Sequence, residues 1–206
     1  MYDSASYPKP SPEEIRRFTD AQVQAILMAE GASGFPTATI LPFCQEDDGT
    51  FELHIVKADP TYEALKSTGR GAILVQEVFA FTPHHVVDPV YAGMATLHFR
   101  AVLYDVTVEV SEEPTQVAEC LARLLERYEP GAAYHPLGDL AFYEADLARL
   151  AAVRCKVTAT HVKFKTAQNR SPEERRRVTA FLRERGLPGD LRAAEIIEES
   201  GDPSGV

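Results

Sequence analysis

The chain has 206 residues, and its 31 acidic side chains outnumber 21 basic ones, which gives a formal net charge of -10. This acidic balance argues against nonspecific DNA binding, because DNA-binding proteins present a basic face to the phosphates. No apolar stretch approaches the ~20 residues of a membrane span, and the start "MYDSASYPKPSPEE" lacks the basic and apolar regions of a secretory signal. We therefore expect a cytoplasmic protein without a membrane segment.

The cysteines and histidines predict neither a disulfide framework nor a metal site. The three cysteines are far apart, odd in number and form no CxxC pair. The six histidines show no HExxH or similar spacing. We expect reduced thiols and no bound metal.

The first half of the chain predicts a helix, a hairpin and a short second helix. "SPEE" at 11–14 is a capping box, and the apolar spacing that follows predicts a helix over about 12–29. "FPTATILPFC" and "FELHIVK" predict two strands around the polar turn "QEDDGT". "ADPTYEALKSTG" predicts a short helix, with Asp59 as its N-cap and Gly69 past its end.

The second half predicts two long strands, then helices and one more strand. The strands cover 71–82 and 93–110, where β-branched and aromatic residues dominate. Helices are predicted at about 112–128, 140–152 and 172–185, with a strand at 153–167 before the last of them. This order excludes a regular βαβα sheet and favours an α+β fold around an antiparallel barrel. We predict one domain over residues 1–188 and a partly disordered C-terminal tail over 189–206.

Two segments combine a cation at a strand end with the start of a helix. In "KFKTAQNRS", Lys163 and Lys165 lie on one strand face beside Gln168 and Asn169, and Ser171 opens a helix. This pattern suits a phosphate or carboxylate, but an exposed edge strand with charged side chains has the same pattern. In "HIVKADPTYEAL", Lys57 precedes the next helix start, and the same two interpretations stay open.

The basic helix that follows could in principle contact nucleic acid. Residues 161–186 hold eight Lys and Arg side chains against three Glu. However, Arg175–Arg177 are consecutive and spread around the helix instead of forming one stripe. No helix-turn-helix precedes them, and aromatic residues are not interleaved with them. The pattern therefore argues against direct DNA contact.

Several segments resemble one known family. "ATILP" (38–42) is similar to its A-T-H-L-P, with Ile40 in place of the histidine. "LHIVKADPTYEAL" shares His54 and Pro60 with its G-H-x-A-R-x-N-P-x-W-R-x-L, and "VKFKTAQNRS" is similar to its K-x-K-L-S-Q-N-[KR]-S. The chain thus resembles, over about residues 1–186, the PaiB family of FMN-binding negative transcriptional regulators, part of the pyridoxamine-phosphate-oxidase-like split-barrel group.

The resemblance implies a six-stranded antiparallel split β-barrel with peripheral helices and a C-terminal helical extension. It also implies a homodimer that holds FMN, or a related phosphorylated flavin, at the subunit interface. The phosphate would meet Lys57, Lys165 and Gln168. The full cofactor-binding set that it implies is Thr39, His54, Lys57, Thr82, Lys165, Gln168 and Asn169. The flavin would supply any redox chemistry, and because no general acid or base is identifiable, the sequence leaves open whether the protein is an enzyme.

The chain departs from the family where the flavin ring is usually held. The family's G-P-H-A-Y-I-S-P-S-W-Y run is replaced by "QEVFAFTPHHVVDPVYAGMATLHF", and the chain contains no tryptophan. A second hypothesis therefore stays open. In it, the protein is a flavin-free interaction or regulatory protein on a degenerate split barrel, whose basic C-terminal helix contacts a protein or nucleic-acid partner.

Overall fold

The computed structural model describes residues 7–200, which form six α-helices and seven β-strands. The helices are α1 (Pro12–Asp20), α2 (Pro60–Thr68), α3 (Pro114–Tyr128), α4 (Glu144–Leu147), α5 (Pro172–Arg185) and α6 (Asp190–Glu199). The strands are β1 (Ala25–Glu30), β2 (Pro36–Leu41), β3 (Cys44–Gln45), β4 (Phe51–Val56), β5 (Arg70–Thr82), β6 (Thr96–Ser111) and β7 (Leu150–Lys165). Two short 3-10 helices, His84–Val86 and Ala92–Met94, lie between β5 and β6.

The strands form one antiparallel sheet in the order β2-β1-β5-β6-β7-β4-β3. The α+β class is therefore confirmed, but the six strands predicted for the split barrel are wrong in number, because the sheet has seven strands and is not closed. One of the additional strands arises where Pro42 divides the predicted strand 35–44 into β2 and the two-residue β3. Proline has no N–H for a strand ladder, so a strand commonly ends there.

Two predicted helices are shorter than expected because their ends belong to strands. The helix predicted over 12–29 ends at Asp20, and residues 25–30 form β1, which pairs with both β2 and β5. The helix predicted over 140–152 is reduced to α4, because Leu150 begins β7 opposite Val56 of β4. In both places strand pairing over long sequence distances overrides the local helical pattern.

The chain divides into two compact units. Within the described chain, the first unit contains residues 7–16, 76–102 and 162–200, and the second contains 17–75 and 103–161. The core of the first unit is built around Phe79, Val178, Leu182 and Ile197. In the second unit, α3 and α4 contribute Val117, Leu124 and Leu147 to another buried cluster. The single domain expected over 1–188 stays a prediction.

The segment predicted as a tail contains a helix. Within residues 189–206, α6 covers Asp190–Glu199 and buries Ala193, Ala194, Ile196 and Ile197. Residues 201–206, which belong to the same predicted tail, lie outside the described range. Between residues 7 and 200, no helix is both long and apolar enough to cross a membrane.

Candidate phosphate site

The first unit contains a buried pair of polar side chains, Thr82 at the end of β5 and His98 in β6. Thr82 Oγ1 lies 2.8 Å from His98 Nε2, and the two residues are 0% and 1% exposed. His98 Nδ1 forms no hydrogen bond within the described part of the chain. A fully buried polar atom without a partner is uncommon in a folded protein, and the Lys165 backbone is the hydrogen-bonding group that acts on this ring.

The imidazole of His98 is neutral at physiological pH. Burial lowers its pKa to about 4, and the nearby positive charges of Lys165 and Arg170 act in the same direction. The Lys165 backbone acts in the opposite direction but does not outweigh them. A neutral ring carries one N–H, so the Thr82 hydroxyl either donates to Nε2 or accepts from it. When Thr82 donates, the ring proton is on Nδ1.

Lys165 and Arg170 lie close enough to His98 to act on its pKa, and Lys163 acts in the same way on Lys165. We call Lys163, Lys165 and Arg170 the cation cluster. Burial, followed by the charges of Lys163 and Arg170, lowers the pKa of Lys165. No carboxylate pairs with Lys165 between residues 7 and 200. The charge of Arg170 contributes to the lowered pKa of Glu174. Like charges held close together destabilise each other, so the cation cluster favours an anion.

The neighbours of the cation cluster hold its outer members in place. Lys163 Nζ lies 5.7 Å from the centre of the Tyr7 ring, a cation–π distance. Arg170 Nη1 lies 2.7 Å from the sulfur of Met94, the last residue of the second 3-10 helix. Lys165 is therefore the member of the cation cluster for which no partner is found in the described chain.

A tight turn after β7 carries the cation cluster into α5. Gln168 Oε1 accepts from the Thr166 N–H at 2.7 Å, and Gln168 Nε2 donates to the Phe164 carbonyl at 2.6 Å. Ala167 has a φ of 59°, which costs a non-glycine residue roughly 1 kcal/mol or more. The amide of Gln168 therefore builds the turn, and one of its N–H bonds remains for other contacts. Asn169 is exposed at the tip of the turn.

The start of α5 follows the sequence prediction. The Ser171 hydroxyl accepts from the Glu174 N–H at 3.2 Å, and the Glu174 carboxylate accepts from the Ser171 N–H at 2.8 Å. This reciprocal capping box uses donors that would otherwise be unsatisfied at the helix start. It also fixes where α5 begins, directly after Arg170.

The remaining predicted site residues belong to the second unit. Thr39 lies on β2 opposite Leu27, and His54 lies on β4, where burial lowers its pKa. Lys57 Nζ lies 3.1 Å from Glu112 Oε2. Hydrogen bonds from Lys66, Tyr62 and Lys57 lower the pKa of Glu112 to about 2. Lys57 therefore has a carboxylate partner within its own unit, which it shares with Lys66, whereas Lys165 has none in the described chain.

A separate cavity of about 560 Å³ in the second unit contains none of the predicted site residues. Its buried carboxylate, Glu52, is 2% exposed and pairs with Arg123 and with Arg154. Because the guanidiniums of Arg123 and Arg154 both neutralise this carboxylate, the three side chains have a clear structural role.

Sequence reasoning missed three residues of the site, His98, Arg170 and Met94. Arg170 belongs to the segment "KFKTAQNRS", five residues after Lys165. This short spacing is the signal in the sequence that Arg170 lies near Lys165. His98 and Met94 meet the cation cluster only through the pairing of distant segments, so no local pattern marks them.

Comparisons with known proteins agree with this architecture. The family model described as "Putative FMN-binding domain" matches residues 1–164, which stop one residue before Lys165. The flavocytochrome Anf3 from Azotobacter vinelandii is 17% identical, with a TM-score of 0.60 over 76% of this chain and 68% of that one. The FAD and heme binding protein from Mycobacterium smegmatis is 18% identical, with a TM-score of 0.58 over 76% and 72%.

A conserved hypothetical protein from Mycobacterium tuberculosis is also 18% identical, with a TM-score of 0.57 over 80% of this chain and 90% of that one. At these identities the likeness shows a shared fold. The search of curated proteins returns no match. Because the family model covers most of the chain, the protein belongs to the family described as "Putative FMN-binding domain".

Proposed function

We propose that the protein binds FMN, or a related phosphorylated flavin, with the flavin phosphate at the cation cluster. The observation that carries the proposal is Lys165, a partly buried cation without a paired carboxylate, held near Lys163 and Arg170. A phosphate monoester carries close to two negative charges at neutral pH and offers three acceptor oxygens. It would therefore neutralise the cluster and accept the hydrogen bonds of its ammonium and guanidinium groups.

The residues around the cation cluster would orient this anion. The Thr82–His98 pair supplies a buried, neutral ring beside Lys165 and adds no charge of its own. Gln168 would act mainly through the turn that positions Lys165 and Arg170, and Asn169 is available at the exposed tip. A bound flavin would supply redox chemistry, while these side chains bind and orient it.

Other parts of the flavin hypothesis rest on the sequence resemblance. The contributions of Thr39, His54 and Lys57, a homodimer with the flavin at its interface, and a regulatory role stay predictions. The names of two solved neighbours, a flavocytochrome and an FAD and heme binding protein, support flavin binding as the ligand class. Membership in the FMN-binding family supports FMN in particular.

The flavin-free alternative gains no support from α5. Arg177 donates to Glu173 and to the Val87 carbonyl, while Arg183 pairs with Glu198 and Arg185 with Asp190. These internal contacts give Arg177, Arg183 and Arg185 a structural role.

A titration with FMN and riboflavin tests the proposal, because riboflavin has the same ring but no phosphate. We expect the wild-type protein to bind FMN about tenfold more tightly than riboflavin, a difference of ~1.4 kcal/mol. Lys165→Gln should remove most of that difference and leave riboflavin binding unchanged. Lys156→Gln, an exposed lysine on the same strand, is the matched control. A protein that is colourless as purified and does not bind added FMN would overturn the proposal.

A further inference from the structure

The loop between β5 and β6 presents an exposed aromatic side chain that has no role in the core. Tyr91 is 62% exposed, and its neighbour Val90 is 86% exposed. One carboxylate oxygen of Asp88 accepts from both backbone N–H groups, of Val90 and of Tyr91, at 2.8 Å each. The backbone that carries this ring is therefore fixed, although the ring itself faces solvent.

The Tyr91 ring lies close to the backbone of Gly93. A Cβ atom at residue 93 would lie 2.6 to 2.8 Å from three atoms of the Tyr91 side chain, closer than atoms in proteins approach. Glycine therefore lets the ring lie against the backbone here, and a methyl group at residue 93 would displace it. The rest of the ring is exposed to solvent.

Tyr91 lies one turn away from a residue that contacts the cation cluster. The Met94 N–H donates to the Tyr91 carbonyl at 3.2 Å, and the Met94 sulfur lies 2.7 Å from Arg170 Nη1. A 3-10 helix rises roughly 2 Å per residue, so three residues span about 6 Å. In FMN, seven bonds join the ring nitrogen to the phosphorus and extend to roughly 8–9 Å, enough to bridge one helical turn and a side-chain contact.

We propose that Tyr91 is the aromatic platform on which the isoalloxazine ring of the flavin stacks, with Gly93 as its support. This inference rests on the proposed function and extends it to the ring end of the ligand. The chain contains no tryptophan, and Tyr91 is an exposed aromatic side chain one helical turn from Met94, which contacts the cation cluster. Offset stacking on a fixed tyrosine is favourable for any flat aromatic ring.

The test compares Tyr91→Ala, Tyr91→Phe and Gly93→Ala with Tyr134→Ala, an exposed tyrosine of the second unit that is 44% exposed. The probes are FMN and ribose 5-phosphate, which carries only the phosphate end. Tyr91→Ala and Gly93→Ala should each weaken FMN binding by about tenfold and leave ribose 5-phosphate binding unchanged. Tyr91→Phe should retain FMN binding, and Tyr134→Ala should behave as wild type.

Fluorescence of the bound flavin gives a second readout, since a stacked tyrosine quenches it. Tyr91→Ala should restore emission, and thermal unfolding should show that the variant remains folded. Unchanged FMN affinity and quenching in Tyr91→Ala would overturn this inference while leaving the phosphate site intact. Failure of the wild-type protein to bind FMN would overturn the proposed function itself. A change in molecular size without any change in quenching would assign Tyr91 to contact with a second copy and would also overturn the inference.

Discussion

Arg185 donates from Nε and Nη2 to the two carboxylate oxygens of Asp190, at 2.8 and 2.6 Å. Asp190 is 1% exposed and also accepts from the Leu187 N–H at 2.8 Å. Arg185 donates in addition to the carbonyl of Phe81, at 2.9 Å. This one ion pair therefore fixes the turn between α5 and α6 and attaches it to the end of β5.

We expect Asp190→Ala to lower the free energy of unfolding by about 3 kcal/mol, because it leaves Arg185 and the Leu187 N–H without their partner. Urea unfolding measures the change. Glu198→Ala is the control, since its pair with Arg183 is half exposed and should contribute less than ~1 kcal/mol. The hydrogen bonds from Arg185 lower the pKa of Asp190. Its stabilisation is therefore present above the unfolded pKa of about 4 and is lost as pH falls through the folded value. Equal losses in the two variants would contradict this role.

Gly189, the residue before α6, is expected to tolerate no side chain. Its φ is 86°, and a Cβ there would collide with the carbonyl oxygen of Phe79. Gly189→Ala should cost about 2–4 kcal/mol, from the left-handed backbone and from overpacking. In contrast, Gly138 has no atom within 4 Å of its Cβ position and no positive φ, so Gly138→Ala should be close to neutral. Thermal unfolding of both variants checks this, and equal melting temperatures would refute the close approach of α6 to β5.

Buried thiols give a third prediction. Burial raises the pKa of Cys120 and of Cys155 to about 12, so neither is a thiolate at pH 8. Cys44 is only partly buried, although burial raises the pKa of its thiol as well. Iodoacetamide at pH 8 should therefore modify at most Cys44 in the folded protein and all three thiols in urea. Cys44→Ser should remove the folded-state modification. Mass-spectrometric detection of modified Cys120 or Cys155 in the folded protein would count against their burial.

Features set by a few adjacent residues could be predicted from the sequence. The capping box of Ser171 and Glu174 and the N-cap of Asp59 on the Thr61 N–H are interactions within four residues, and both helices begin where expected. Residues 25–30 are different, because they form a strand through pairing with residues as far away as Ala72. Such a partner lies beyond any local pattern, which explains why a helix was predicted there.

The candidate site divides in the same way. Lys163 and Lys165 alternate on one strand, so their shared face was evident from spacing alone. The ion pair of Lys57 with Glu112 joins residues 55 positions apart, and the Thr82–His98 pair joins two strands across a loop. Whether a cation has a carboxylate partner therefore depends on tertiary contacts. These contacts give Lys57 a partner and leave Lys165 without one in the described chain.

His98 should make stability depend on pH between about 4 and 6.5. Its folded pKa is about 4, and an unfolded histidine titrates near 6.5, so the unfolded state binds more protons in this window. Stability contributed by the neutral ring is therefore full above pH ~6.5 and falls as pH decreases toward 4, by about 3 kcal/mol in all.

His98→Gln, which keeps a polar group for Thr82 but does not titrate, isolates this effect. Denaturant unfolding of both proteins at several pH values should show that their difference in stability changes across the window. His85→Gln, at an exposed histidine that forms no ion pair in the described part of the chain, should follow the wild type. Parallel curves for wild type and His98→Gln would mean that His98 is accessible enough to be protonated in the folded protein.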